Sequence, residues 1–298
     1  MDIKSMLKPL YLRIYHSGVF NFIPDKIFVP FQYRMATGKA LDLKNVNTFN
    51  EKIQWMKLFD RNPIYPMIVD KYRIREYVGS RIGEEYLIPL LGHWESLEDV
   101  KLDELPNQFV IKCNHDSGGI SICLDKNKYD WVKEKKKLSI HMSQNHYYLS
   151  REWAYKKVKP CIIAEQYLKD EKTGELRDYK FFCFNGKPKY VQVDFNRFIN
   201  HKRNIYDLDW NLVNLTIKCQ NAPERVIEKP DRFDVMVELA EQLSAGFPQV
   251  RVDLYLANGR VYFGELTLYH GSGFEKFTPE SFGEEFGSYI DLSLCKPK

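Results

Sequence analysis

The chain has 298 residues, 44% hydrophobic and 28% charged, with a formal net charge of +4; that is an ordinary soluble composition, long enough for one large domain or two to three small ones. The charge is too small to imply nucleic acid, no run approaches the roughly 18–20 apolar residues of a membrane span, and the six cysteines (113, 123, 161, 183, 219 and 295) form no C-x-x-C and no metal spacing with His, which argues against a zinc site. The N-terminus, interrupted by charge and by Pro9, does not read as a signal peptide, so the expectation is a cytoplasmic protein with reduced thiols.

Residues 1–35 set Met6, Leu7, Leu10, Tyr11, Ile14 and Tyr15 against Lys4, Lys8 and Arg13 at helical spacing. Such a face ordinarily packs on the protein's own body; weak peripheral contact with an anionic membrane is the alternative. A second helix starts at Thr48, with Glu51 three residues on as a capping box, and carries Ile53, Trp55, Met56, Leu58 and Phe59. Pro63 and Pro66 break it. A third is expected over residues 67–78, stopped by Gly79.

Residues 109–122 read FVIKCNHDSGGISI. An apolar run ends in Lys112, a polar turn leads to Gly118 and Gly119, and a second β-type run follows: a hairpin. Glycines let backbone N–H groups approach an anion, and Lys112 adds a point charge, so a phosphate clamp is one reading. A plain surface hairpin is the other, because no helix follows as it would in a Walker A or G-x-G-x-x-G loop. Residues 127–158 read as helical, with the charge run at 133–137 as a solvated face. Strands follow at 161–168, 178–184 and 190–194, the last two joined by the hairpin turn Asn185-Gly186. A helix covers 230–243, and a final hairpin turns at Asn258-Gly259. The order is that of an α+β chain with antiparallel sheets.

In the final hairpin Arg251, Asp253 and Tyr255 alternate with apolar residues, as do Glu265 and Thr267. A plain two-residue turn would pair Asp253 with Gly264 and turn Glu265 away. Only a three-residue loop or a bulge puts Arg251, Asp253, Glu265 and Thr267 on one face. There, two carboxylates and a hydroxyl would suit Mg²⁺ together with substrate phosphates; a wet face with an Arg–carboxylate pair is the simpler reading.

Four pieces in order resemble the ATP-grasp superfamily. Asp70-Lys71-Tyr-Arg-Ile-Arg75 is similar to its D-K-x-x-x-K/R piece, FVIKCNHDSGG to the V-V-K-P strand with its glycine-rich lid, IIAEQYL to the E-x-x-(I/L) hinge, and VRVDLYL…YFGELT to the R-x-D…E-x-N metal strands. The match runs from about Asp70 to Gly273. Cys113 replaces the usual Pro, Thr267 replaces the usual Asn, and the N-terminal part lacks the usual βαβ pattern. F-N-E-K-I-Q-W at 49–55, R-E-W-A-Y at 151–155 and D-Y-K-F-F-C-F-N-G at 178–186 resemble the TupA-like branch, which is associated with bacterial surface-polysaccharide synthesis.

The resemblance implies ATP held between two α+β subdomains, a small one (96–164) with the lid and a larger one (165–298) with the metal strands, after a mainly helical region (1–95). Lys112 would contact phosphate oxygens, with Ser117, Gly118 and Gly119 closing over them and Lys71 as a further contact. Glu165 and the backbone of Gln166, Tyr167 and Leu168 would face adenine, and Asp178 would bind the ribose. Asp253, Glu265 and Thr267 would hold Mg²⁺. Arg251 would grip the acyl phosphate or carboxylate, and Lys180 would reach phosphate or acceptor; His270, in the His270-Gly-Ser-Gly273 segment after Glu265, reads either as touching substrate or capping the site or as a plain exposed loop histidine. Asp194, Asn196, Arg197, His201 and Arg203 read either as an acceptor-facing loop or as an ordinary one, and Glu152 and Trp153 either line the site or pack in the core. The activity implied is an ATP-dependent carboxylate–amine ligase working through an acyl phosphate, on a uronic acid of a surface glycan and an amine. A kinase on the same fold, or a glycosyltransferase or assembly protein using Asp207-Leu-Asp209, is the alternative.

Overall fold

The computed structural model describes residues 18–172, 174, 176–195, 202–225 and 227–296. Helix α1 (Asp25–Thr37) leads to α2 (Phe49–Phe59), whose start is the expected capping box. Thr48 Oγ1 accepts from the Glu51 N–H, and Glu51 Oε2 accepts from the Thr48 N–H at 2.9 Å. The helix expected at 67–78 is instead two, α3 (Tyr65–Ile68) and α4 (Ile74–Ile82). The Asp70 carboxylate separates them by accepting from the N–H groups of Tyr72 (2.9 Å) and Arg73 (3.2 Å). Gly79 lies inside α4, and the stop is Gly83, with φ 106°.

A small antiparallel sheet is built from β1 (Leu90–Trp94), β2 (Phe109–Cys113), β3 (Ile120–Cys123) and β4 (Ile162–Gln166), in the order β1-β4-β2-β3. Phe109, Ile111 and Cys113 of β2 are buried with Leu138 of α5 (Trp131–Met142), so the alternate residues Val110 and Lys112 face the other way. The helical stretch expected over 127–158 resolves into α5, the short α6 (Tyr147–Ser150) and two 3₁₀ turns, at Lys126–Lys128 and Trp153–Tyr155. The small sheet reaches back to Leu90 and forward to Gln166, so the expected boundaries at 95/96 and 164/165 fall beside β1 and inside β4.

The larger sheet contains β5 (Arg177–Phe184), β6 (Lys187–Phe195) and β7 (Lys202–Tyr206). After the short β8 (Thr216–Ile217) and α7 (Phe233–Ser244), it is completed by β9 (Gln249–Ala257) and β10 (Arg260–Thr267). Its order is β10-β9-β5-β6-β7, all antiparallel. β11 (Phe277–Thr278) pairs with β8, and α8 (Ser281–Ser288) follows. Phe49, Ile53 and Met56 of α2, Tyr65 and Ile68 of α3 and Tyr77 of α4 share one core with Phe181, Val252 and Leu254 of this sheet. Helices α2, α3 and α4 are therefore part of the larger unit's core. All six cysteines are free. Among the described residues no helix is long and apolar enough to cross a membrane.

Candidate active site

The final hairpin has both a two-residue turn and a bulge. Ala257 pairs with Arg260 across Asn258-Gly259, where both residues take the positive φ of a tight hairpin turn (52° and 73°). That turn alone would set Gly264 opposite Asp253. The register slips between Phe263 and Glu265, so Glu265 opposes Asp253 and Thr267 opposes Arg251. A Cβ on Gly264 would stand 2.9 Å from the Asp253 carbonyl oxygen and 3.0 Å from the Tyr255 ring. Gly264→Ala should therefore cost about 1–3 kcal/mol, read as a melting temperature several degrees lower. A variant melting with the wild type would show that the backbone gives way there freely.

Arg251, Asp253 and Lys180 form a buried ionic network on adjacent strands. Asp253 accepts from Arg251 Nε and Nη2, both at 2.7 Å, and from Lys180 Nζ at 2.5 Å. Lys180 also pairs with Asp178 at 2.5 Å. Burial opposes each charge, but the partners win: the Arg251 and Lys180 pKa values are raised, and the Asp253 carboxyl is lowered by both cations. The remaining Arg251 donors go to Glu265 Oε1 (3.2 Å), Thr267 Oγ1 (3.1 Å) and His270 Nδ1 (2.6 Å). Because Arg251 can only donate, Nδ1 accepts and the His270 proton sits on Nε2, which lies 3.1 Å from Glu275. His270 is buried rather than exposed in a loop, and burial lowers its pKa. His270, Arg203 and Lys218 together hold the Glu275 carboxyl well below its usual range despite burial.

The cleft lies between the inner face of the small sheet and β10. It is lined by Lys71, Arg75, Lys112, Glu165, Tyr155 and residues 263–266, with about 30 Å³ of open space, room for one or two waters. Glu165 closes it: Lys112 Nζ lies 2.5 Å from one carboxylate oxygen and Arg75 Nη1 3.3 Å from the other. Beyond Arg75 and Leu87 a hollow of about 1100 Å³ opens, where the Tyr72 and His93 rings stack at 3.8 Å. The lid loop is pinned at its base. Asn114 Oδ1 accepts from the Cys161 N–H (2.8 Å), His115 meets Gln144 (3.1 Å), and Lys71 Nζ donates to the Asp116 carbonyl. Only Ser117 and Gly118 at the tip, before Gly119, are exposed.

The structure thus gathers Lys71, Lys112, Glu165 and Glu265 around one cleft, and joins Asp178, Lys180, Arg251, Asp253, Thr267 and His270 to it through Arg251. Several expected roles change. Lys180 is buried between two carboxylates and does not reach the cleft. Asp178 is spent on Lys180 rather than open to a ribose. The Glu165 side chain meets two cations rather than an adenine. Gln166 and Tyr167 line a separate depression with Leu91 and Asn107, while Leu168 is half-buried just beyond β4. Nη2 of Arg251 is shared among Asp253, Glu265 and Thr267, while Nη1, with two N–H groups, meets His270 Nδ1. Asp194 and Arg203 are not loop residues but paired strand residues, 2.8 Å apart, and Asn196, Arg197 and His201 lie outside the described residues. Asp207 caps a turn by accepting from the Asn211 N–H (2.8 Å). Glu152 is buried, accepting from Ser150 and Ser272, and Trp153 packs on the core beneath Arg61.

Sequence reasoning passed over three participants. Arg75, four residues after Lys71, was visible as the last residue of the D-K-x-x-x-R piece. Gln54 and Lys57 of α2 hold the loop after β10. Gln54 Nε2 donates to the carbonyls of Ser272 (3.0 Å) and Gly273 (2.9 Å), and Lys57 Nζ donates to Ser272 O (2.7 Å), Ser272 Oγ (2.9 Å) and Gln54 Oε1 (3.1 Å). Their only sequence signal is their polarity on a helix that otherwise packs inward.

The donor set suits a hard divalent cation that borrows ligands from phosphate. Glu265 is 46% exposed, and Asp253 and Thr267 stand beside it. Among the described residues no three His, Cys, Asp or Glu side chains converge as a protein-only metal cage would require.

A family model described as TupA-like ATPgrasp matches residues 51–291. Comparison with curated proteins returned no match. Among solved structures the chain is similar to D-alanine–D-alanine ligase from Bacillus anthracis complexed with ATP (17% identity, 68% of this chain and 54% of that one, TM-score 0.39). It is also similar to the D-alanine–D-alanine ligase from Helicobacter pylori (12%, 83% and 69%, TM-score 0.43) and to VanG D-Ala:D-Ser ligase from Enterococcus faecalis (12%, 76% and 62%, TM-score 0.47). The chain spans about half the length of the Bacillus enzyme.

Proposed function

The chain belongs to the TupA-like ATP-grasp family, and on that premise we propose that it is an ATP-dependent carboxylate–amine ligase acting on a uronic acid of a bacterial surface polysaccharide. The observation that carries this reading is the convergence of Lys71, Lys112 and Glu265 on one cleft, with Arg251 reaching Glu265 from the adjoining strand. In the reaction a substrate carboxylate oxygen takes the γ-phosphoryl group of ATP and ADP leaves. The amine nitrogen then attacks the acyl carbon, loses a proton, and phosphate leaves.

Lys71 and Lys112 would neutralise phosphate charge. Burial lowers the Lys71 pKa, while Glu265 and Asp116 oppose that shift and Lys112 adds to it; an arriving phosphate would favour its charged form. Glu265, and Asp253 after yielding an oxygen from Lys180, would hold Mg²⁺, which supplies further charge neutralisation at the phosphates. The cleft is too narrow for a nucleotide while Glu165 bridges Lys112 and Arg75. ATP binding would therefore exchange those two ion pairs for phosphate contacts as the small sheet moves off β10. Closure behind the substrates would exclude the water that hydrolyses an acyl phosphate.

The kinase alternative needs a base beside the attacking hydroxyl. Both expected candidates are engaged, His270 by Arg251 and Glu275 and Asp194 by Arg203, which favours the ligase. The test follows ADP and phosphate release with uronic acids and amines supplied singly and together. The ligase predicts ADP release that needs both, and Lys112→Ala should raise the KM for ATP about tenfold or more. ADP release with a sugar and no amine would replace the ligase with a kinase. No ATP turnover with any combination, and no effect of Lys112→Ala on ATP binding, would overturn the site.

A further inference from the structure

We propose that α1 seats this protein on an anionic membrane surface. Ile27, Phe31 and Met35 recur every four residues, so they form one stripe along the helix. They are 63%, 49% and 62% exposed, and Phe22 just before the helix is 82% exposed. Large apolar side chains scattered singly on a surface need no explanation, but a continuous stripe of them does.

The opposite face holds the helix firmly. Phe28, Val29 and Tyr33 are buried, Gln32 Nε2 donates to the Leu149 carbonyl (2.9 Å), and Tyr147 Oη donates to Asp25 (2.6 Å). The stripe is thus presented by a helix docked through its other side, not by a frayed end.

The charge around the stripe selects the occupant. Arg34 falls on the same helical face and is exposed; Lys26, about 100° round the helix from Ile27, is exposed as well, its ammonium 5.7 Å over the Phe59 ring. The only acid on α1, Asp25, is engaged by Tyr147 and by Arg151 at 3.4 Å. In sequence, residues 1–17 carry Lys4, Lys8 and Arg13 against one acid, Asp2. An apolar stripe bordered by cations is what an interfacial helix presents to anionic lipid: the side chains enter the acyl boundary and the cations meet headgroup phosphates. A second copy fits less well, because a two-fold contact would set this cationic patch against itself. The inference stands independently of the ligase reading.

The test is flotation of the full chain with vesicles of phosphatidylcholine alone, or with about one third phosphatidylglycerol, at about 0.1 M and 0.5 M salt. The wild type should float with the anionic vesicles only, and at least tenfold less at the higher salt. Phe22→Ser/Phe31→Ser/Met35→Ser should lose at least tenfold of the bound fraction and keep the wild-type melting temperature, since its substitutions spare the buried face. Arg34→Glu should weaken binding without abolishing it. The proposal fails if the wild type stays unbound, or if the triple variant floats like the wild type. It also fails if sedimentation velocity shows a wild-type dimer that the triple variant dissolves, which would make a second copy the occupant.

Discussion

Asp253→Asn and Glu265→Gln should both cut ATP turnover steeply, yet only the first should weaken the fold. Asp253 is 1% exposed and receives three hydrogen bonds from Arg251 and Lys180. Replacing its charge with an amide leaves two buried cations facing a group that cannot neutralise them. Breaking a buried pair from one side costs about 3–5 kcal/mol, and in a chain of this size that lowers the melting temperature by roughly 6–15 °C. Glu265 is nearly half exposed and has one ion pair, to Arg251 at 3.2 Å. An ion pair so placed is worth about 0–1 kcal/mol, so Glu265→Gln should melt within about two degrees of the wild type. Its turnover should still fall about 10²- to 10³-fold, the usual loss when one group stabilising transition-state charge is removed. The paired measurement is a thermal melt and initial ADP release on each variant. An Asp253→Asn protein melting with the wild type would mean that the network holds little of the fold. A Glu265→Gln protein turning over normally would remove Glu265 from the metal site.

What could be read from the sequence divides by distance along the chain. The Thr48–Glu51 box and the turns at Asn185-Gly186 and Asn258-Gly259 are legible because each is decided within four residues. The shared face of Arg251, Asp253, Glu265 and Thr267 was legible only conditionally. Alternation shows which residues lie together on each strand, but the register between strands depends on whether a residue is skipped, and Gly264 is skipped. The misread helix at 67–78 has a local cause too. Asp70 competes for the backbone N–H groups of Tyr72 and Arg73 more effectively than the apolar spacing argues for continuity.

The remaining surprises are long-range. Glu165 is separated from Arg75 by 90 positions, and nothing near either residue announces the pair. The His270-Gly-Ser-Gly273 run looks like an exposed loop because glycine and serine usually are exposed. His270 and Gly273 are buried and Gly271 and Ser272 half-buried, because α2, more than 200 positions earlier, lays Gln54 and Lys57 against the run. The same logic explains the N-terminal helices. Their apolar faces were evident, but the sheet they cover was not.

Lys57 gives the clearest pH signature in the fold. It is fully buried, and burial pushes its pKa down to about 7 from 10.5, with Glu152 opposing the shift. Its three acceptors and the Phe274 ring face, 4.5 Å from Nζ, all favour the ammonium form. In the unfolded chain Lys57 keeps its proton to about pH 10.5; in the folded protein it keeps it only to about pH 7. Between those values the unfolded state holds the extra proton, so stability rises with pH across this window, and the full cost of burying the charge is carried below pH 7. At about 1.4 kcal/mol per pH unit, raising the pH from 7 to 9 should recover roughly 2–3 kcal/mol of this contribution. Lys57→Met removes the titration while filling similar volume. Melting temperatures of the two proteins, measured from pH 6.5 to 9.5, should therefore diverge, with the wild type gaining several degrees on the variant as pH rises. Parallel curves would mean that Lys57 titrates as it does in the unfolded chain, and that the acceptors around Ser272 hold its proton against burial.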